Sequence, residues 1–323
     1  MARKAVLTGA SGFIGSHVAG RLLGRGYSVK ALLRKTSSTT GIPGGCDVTR
    51  VDFLDPESMA GPMEGCDTVI HCAGATSAGS REEFDRINAL ITANVLKARK
   101  KAAPEALFIY VSSQAAAGPS GNGPVTAYGR SKLLGEFAVR DSGNWMIIRP
   151  PAVFGPGDDA SAPVMRAALK GFFFSPRIRG RGFPLVFVDD LADLVALLPE
   201  RPGAMERILT PSYGRLFSWN DFHRLLQEAS GRHIIHVRVP VPLVLAVALV
   251  SEAAAAISGR VPFFCREKCR ELLAAEWKLE EGLTGRLTGW SPATPVRKAL
   301  EKTLAYYHPS EARTRAWMRK AET

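Results

Sequence analysis

Residues 8–15 read Thr-Gly-Ala-Ser-Gly-Phe-Ile-Gly and follow at once on a short apolar run, Ala5-Val6-Leu7. That order predicts a buried first strand, a tight turn, and a helix over about residues 13–24. Gly9 lets the chain turn sharply out of the strand. Gly12 leaves room for a phosphate to approach the backbone, and Gly15 lets the helix pack closely on a sheet. The helix N-terminus would then aim free N–H groups and a positive dipole at an anion. The spacing is Gly-x-x-Gly-x-x-Gly, one residue looser than the Gly-x-Gly-x-x-Gly dinucleotide fingerprint. A glycine loop alone also fits an ordinary strand-to-helix turn. Its place between a strand and an amphipathic helix favours a dinucleotide cradle lined by Gly9, Ser11, Gly12, Phe13, Ile14 and Gly15.

Tyr27–Leu33 reads as a second strand. A site selective for NAD places an acid near its end to hold the ribose 2′-hydroxyl. Here Arg34 and Lys35 stand instead, followed by Thr36, Ser37 and Ser38. A guanidinium beside hydroxyls suits a 2′-phosphate, so NADP is expected, with NAD as the alternative. Asp52 and Phe53 end a third strand where a side chain could meet the adenine. Val69–Ala75 is a fourth strand running into a turn of small residues, with Cys72, Ala73 and Gly74 suited to cofactor contact.

Phe108–Val111 is a strand ending in Ser112-Ser113, and Tyr128-Gly-Arg-Ser-Lys132 opens a long helix. Residues four apart share a helix face. Lys132 is therefore expected beside Tyr128, lowering the pKa of a phenol that otherwise titrates near 10. A Ser113 hydroxyl would hold a substrate oxygen against Tyr128. Tyr-x-x-x-Lys is common by chance, and it gains weight only from the Ser-ended strand and the glycine loop before it.

With these motifs the chain resembles the extended short-chain dehydrogenase/reductase family, nearest its 3β-hydroxysteroid dehydrogenase and dihydroflavonol reductase branch. The resemblance rests on Thr8–Gly15, Asp52, His71-Cys-Ala-Gly74, Asn88, Val111-Ser-Ser113, Tyr128-x-x-x-Lys132, Arg149–Gly157 and Val188-Asp-Asp190. It implies Ser113, Tyr128 and Lys132 as catalytic, with Ser112 a lesser candidate. It implies that Lys132 also holds the nicotinamide ribose and that Asn88 braces the helix behind the site. Pro150 and Val153 are placed against the cofactor. Thr76, Gln114, Ala152, Phe154 and Phe173 are placed against the substrate. Three departures bear on that substrate. Ala152 stands where nucleotide-sugar members carry a phosphate-binding Asn. The loop from Gln114 to Ala127 is short. Phe187 replaces a polar ring before Val-x-Asp.

Strand and helix signals alternate to about residue 155, which predicts an α/β doubly wound parallel sheet of Rossmann type. The expected dinucleotide domain is 1–155 with a return segment 183–207. Within it Phe183–Val188 re-enters the sheet, and Asp189-Asp190 caps a helix. A smaller, discontinuous α/β substrate domain takes 156–182 and 208–323. There Lys170–Phe174 and the arginines 177, 179 and 181 are read as a flap over the nicotinamide end. Ser218 and Asp221 cap a helix of 219–229, followed by a strand of 233–239. Further helices are read near 241–257, 264–276 and 295–307.

Over 323 residues the net charge is +12. A dispersed positive field attracts anionic cofactors and substrates. Nucleic-acid binding is not expected, because no basic stripe interleaves with aromatics and no zinc spacing occurs. Five cysteines without a Cys-x-x-Cys, and scattered histidines, point to reduced thiols and no metal site. The N-terminus enters the first strand without a signal-peptide pattern, so a cytoplasmic protein is expected, and a homodimer is the expected assembly. Residues 240–257 are apolar but interrupted by Glu252, short of a ~20-residue span. They read as a buried helix, with peripheral membrane contact or a lipid-like substrate's entrance as the minority view. Two functions compete with an NADP-dependent oxidoreductase acting on an apolar carbonyl or alcohol. One is a nucleotide-sugar epimerase or dehydratase using NAD, and the other a non-catalytic cofactor sensor.

Overall fold

The computed structural model describes residues 2–178, 182–258, 264–274, 277–279 and 282–308. In chain order the first half runs β1 (Lys4–Thr8), α1 (Phe13–Gly24), β2 (Ser28–Arg34), β3 (Asp47–Val51), α2 (Pro56–Met63), β4 (Thr68–His71), α3 (Arg81–Asp85), α4 (Ile91–Ala102), β5 (Leu107–Val111), α5 (Ala127–Arg140), β6 (Trp145–Ile148) and β7 (Ala152–Phe154). A π turn, Arg86–Leu90, joins α3 to α4. The second half runs α6 (Ala162–Leu169), β8 (Phe172–Pro176), β9 (Phe183–Phe187), α7 (Val188–Leu197), β10 (Ile208–Leu209), β11 (Leu216–Phe217), α8 (Trp219–Ser230), β12 (Ile235–Val239), α9 (Val241–Ser258), α10 (Arg266–Leu272), α11 (Leu283–Thr288) and α12 (Val296–Tyr307).

Seven strands form one parallel sheet in the order β10-β6-β5-β4-β1-β2-β3. Alternate side chains of a strand leave opposite faces, and β1 divides that way. Ala5 and Leu7 join the core under α1 and α7, while Val6 joins the one under α2, α4 and α5. The strand order reverses between β1 and β4, and that switch opens a crevice at the strands' C-terminal ends.

The remaining elements build a second core from β7, β9, α6, α8 and α12. Ser218 and Asp221 form a capping box on α8, each bonding the other's backbone N–H, an arrangement worth about 1 kcal/mol. Four expectations change. Phe183–Phe187 pairs with β7 and β11 in a separate three-stranded sheet, because Ile208–Leu209 already occupies the edge beside β6. Asp189 and Asp190 lie inside the first turn of α7 rather than capping it. Asp189 accepts from His17 at 2.7 Å, and Asp190 accepts from the Thr294 hydroxyl at 2.9 Å. Phe172–Pro176 is no flap but a strand locked in parallel to β12; Arg179 and Arg181 lie outside the described residues. The helix expected over 264–276 is the shorter Arg266–Leu272.

Candidate active site

The glycine loop leaves β1 through Gly9 at φ +77°, and a Cβ there would stand 2.6 Å from the Ala73 nitrogen. A Cβ on Gly15 would stand 2.0 Å from the Gly9 carbonyl oxygen. Larger residues at either place would push the loop off the sheet. Gly12 is the N-cap of α1 and supplies no side-chain acceptor, so the first N–H groups of the helix lack the usual cap. Gly9, Ser11, Gly12, Phe13, Ile14 and Gly15 all line one large cavity. An uncapped helix start facing a cavity is the donor set a pyrophosphate needs, and these residues fit a dinucleotide.

The same cavity is lined by Ser113 and Tyr128. Ser113 caps a 3₁₀ turn, Gln114–Ala116, and its hydroxyl accepts from the Ala115 N–H at 3.1 Å. Tyr128 lies in the first turn of α5, which Thr126 caps through the Gly129 N–H. The Ser113 side chain acts on the Tyr128 phenol. Burial pushes that phenol up to about 12, with Ser113 pulling it down and the Glu271 carboxylate adding to the rise. This overturns the expected downward pull of Lys132. The Lys132 ammonium sits 4.7 Å from the Tyr110 ring centroid and donates to the Val111 carbonyl at 2.8 Å. Its own pKa is pressed down to about 8 by burial.

Ser112 faces another task. Its hydroxyl donates to Glu136 at 2.6 Å, and Arg149 grips the same fully buried carboxylate at 2.7 and 2.9 Å. Asn88 lies in the π turn with its amide fully used. Nδ2 donates to the Ala75 carbonyl and the Ser131 hydroxyl, and Oδ1 accepts from the Ala75 N–H. It therefore ties the turn after β4 to α5. Behind it His71 bridges the Thr8 and Thr92 hydroxyls at 2.6 and 3.0 Å, and burial presses its pKa down to about 3.

Of the other sequence-read positions, Cys72, Gly74, Thr76, Gln114, Pro150, Ala152, Val153, Phe154 and Phe173 line the cavity. Ala73, Asn88 and Lys132 stand behind its wall, Lys132 and Asn88 being buried. Arg34, Asp52 and Phe53 also lie off the wall. Asp52 accepts from its own turn at Leu54, and Phe53 is buried in the core. Phe187 is packed against Phe154 and does not line the cavity, so it shapes the pocket only through that ring.

Arg50 was not read from the sequence. Its Nη1 donates to the carbonyls of Arg34, Lys35 and Ser37 at 3.1, 2.8 and 3.0 Å. It thereby fixes the loop whose Ser38 and Thr40 reach the cavity. Also missed were Glu267 and Glu271 of α10. Glu271 accepts from the Thr126 hydroxyl at 2.7 Å, and Glu267 accepts from the Ala127 N–H at 3.1 Å. Burial raises the Glu271 carboxyl above the usual range. Their four-residue spacing was visible; their meeting with α5, across some 140 residues, carried no local signal.

The cavity measures about 1840 Å³, above the ~300–1,000 Å³ of a single-ligand pocket. It runs from the glycine loop past Tyr128 to Phe173, Trp219, Phe264 and Trp277. The model of the NAD dependent epimerase/dehydratase family matches residues 5–208. Ceramide reductase of Caulobacter vibrioides (strain NA1000 / CB15N) is 28% identical over 275 residues, covering 84% of each chain. The mouse (Mus musculus) sterol-4-alpha-carboxylate 3-dehydrogenase, decarboxylating, is 29% identical over 53% of this chain and 51% of its own. The crystal structure of gox2253 superposes with a TM-score of 0.74 at 25% identity, covering 94% of this chain and 97% of that one.

Proposed function

The chain belongs to the NAD dependent epimerase/dehydratase family and is an NAD(P)-dependent oxidoreductase of the extended short-chain type; we propose that it uses NADP and reduces the carbonyl of an apolar small molecule. The observation that carries this reading is the Ser113–Tyr128 pair at the wall of a cavity whose far reach includes Phe173, Trp219, Phe264 and Trp277. When bound at the glycine loop, the nicotinamide supplies the hydride. Ser113 holds the carbonyl oxygen. Tyr128, kept protonated at neutral pH, gives that oxygen its proton. Lys132, anchored on Val111 behind the cavity wall, would hold the nicotinamide ribose and places positive charge under the site. Asn88 keeps the turn after β4 and α5 in register. In the reverse direction the same phenol must first lose its proton.

Three further observations support the substrate class. Ala152 lines the cavity and has no amide for a diphosphate. Two relatives named above act, by their names, on ceramide and on a sterol. Phe173 and Phe174 give the wall apolar surface. For the cofactor, the basic loop at Arg34 and the absence of an acid there support NADP. Cytoplasmic residence, assembly as a homodimer, and the division into a dinucleotide unit (1–155 with 183–207) and a substrate unit belong to this reading. Among the described residues no helix is long and apolar enough to cross a membrane.

A thermal-shift titration tests both parts. NADP should raise the melting temperature more than NAD, and Arg34→Ala should weaken NADPH much more than NADH. With NADP present, long-chain ketones or alcohols should raise it further, and UDP- or dTDP-sugars should not. Equal losses for both cofactors would remove the NADP reading. A large shift with a nucleotide sugar would instead favour an epimerase.

A further inference from the structure

Helix α9, Val241–Ser258, carries one charged side chain in 18 residues. It is not the buried helix that its composition suggested. Val244 and Ala248 face inward, packing with Cys269, Phe264 and Leu272, and Ala255 is buried too. The opposite stripe is open to solvent: Leu243 is 55% exposed, Val247 53%, Val250 69% and Ile257 90%. Their spacing of four, three and seven residues puts them on one side of the helix, and exposed Leu245 and Leu249 widen the stripe. Monomeric soluble proteins rarely leave a contiguous apolar patch this long uncovered.

The patch extends beyond the helix. Strand β12 leads into it, and Val239 packs against the same small core as Val244. Ile235 and Val237 pair with Phe172 and Phe174 across the β8–β12 ribbon. Three of those four side chains, Phe172, Phe174 and Ile235, are exposed.

Two features say what covers this face. The first is continuity with the site. Glu252 and Ala255 on the inner side of α9 line the cavity, as does exposed Phe174 on the ribbon. The apolar face and the cavity therefore share a rim. The second is charge. Glu252, the one acid of α9, is neutralised by Arg266, which donates from both Nε and its backbone N–H at 2.8 Å. Arg238, on the strand that leads into α9, and Arg270, on the helix packed against its inner side, are exposed, on a chain of net charge +12. An apolar face with exposed arginines on the elements beside it, on a helix not long and apolar enough to cross, matches an interfacial element lying in an anionic bilayer surface.

We propose that α9 and the β8–β12 ribbon dock this protein on an anionic lipid surface and open its cavity toward the acyl layer. The docking stands on exposure and charge alone. Only its use, as the entry route for substrate, rests on the apolar-substrate reading above. Because α9 lies along the surface, its inner side would stay on Cys269 while the outer stripe enters the lipid. Membrane-held substrates would then reach Ser113 and Tyr128 without crossing water.

The test is flotation of the full-length protein with vesicles of phosphatidylcholine, with and without phosphatidylglycerol. Wild-type protein should float with the anionic vesicles. The triple variant Leu243→Ser, Val247→Ser, Val250→Ser should float about tenfold less, or lower still. The single variant Val250→Asp should fall in the same direction, which guards against misfolding of the triple variant. Both variants should keep wild-type melting temperatures and wild-type affinity for the dinucleotide. Wild-type protein remaining in solution with both vesicle types would overturn the proposal. So would undiminished flotation of the variants. A concentration-dependent dimer, lost in the triple variant and accompanied by no flotation, would assign the face to a second copy of the chain instead. Flotation requires no turnover, so a failed substrate screen would count against the apolar-substrate reading and leave docking standing.

Discussion

Ser112 and Ser113 carry the same side chain on adjacent residues, and the extended backbone just past β5 sends them to different chemistry. Ser112 spends its hydroxyl on the Glu136–Arg149 pair, while Ser113 meets Tyr128. Ser113→Ala should therefore impair turnover, whereas Ser112→Ala should act through stability. Tyr128→Phe keeps the ring and removes the acid, so turnover should fall by ~10²–10⁴-fold with little change in cofactor affinity. Near-normal turnover of that variant would refute the mechanism. The phenol at about 12 also sets a pH signature. Carbonyl reduction uses the protonated form and should stay level through neutral pH. Alcohol oxidation uses the phenolate, whose fraction grows tenfold per pH unit below the pKa, so its rate should climb into the alkaline range. Initial rates in both directions, taken across that range, check the sign. The sequence supplied Ser113, Tyr128 and Lys132 because their spacing is local. It misjudged the Tyr128 phenol because the burial that raises it is set by tertiary packing and leaves no local signal.

At the scale of elements, β1, β4, the π turn and α5 are linked by buried polar groups. Thr8 bonds His71, His71 bonds Thr92, Thr92 donates to the Asn88 carbonyl, and Asn88 donates to Ser131. This chain sets the glycine loop and Lys132 in one frame. His71 titrates from 6.5 in the unfolded chain to about 3 here. A folded pKa below the unfolded one means that the unfolded chain binds the extra proton first. The stabilisation is complete above 6.5 and is lost as pH falls toward 3. Urea unfolding midpoints should drop with acidification across that window, and His71→Asn should flatten the drop relative to wild type. Equal slopes for the two proteins would show that His71 contributes nothing to it. Elements with local punctuation were legible, such as the glycine loop and the Ser218–Asp221 box. β7, α6, α11 and the π turn were not, since they are short and are fixed by tertiary packing rather than by their own periodicity.

For the molecule as a whole, the parallel sheet followed from alternating strand and helix patterns. The placement of α10 did not, because nothing local says which surface a late amphipathic helix will cover. Yet α10 reaches the chemistry. Glu267 and Glu271 grip the start of α5. Next to them the 277–279 segment docks on the short loop after Ser113, with Lys278 donating to Pro119 at 2.7 Å and accepting from Gln114 at 2.7 Å. Helix α10 thus closes one side of the cavity and also acts electrically, since the Glu271 carboxylate raises the Tyr128 phenol. Glu271→Gln keeps an oxygen to accept from Thr126 and removes the negative charge. The phenol should then titrate at lower pH, because its anion no longer faces a like charge. The alkaline rise of alcohol oxidation should shift to lower pH, while the melting temperature changes little. Thr126→Val is the matching control, for it breaks the latch and leaves the charge. If Glu271→Gln and Thr126→Val lower activity alike and neither moves the pH profile, α10 serves only to hold the cavity wall. A profile displaced in Glu271→Gln alone would establish that α10 tunes the proton donor on α5.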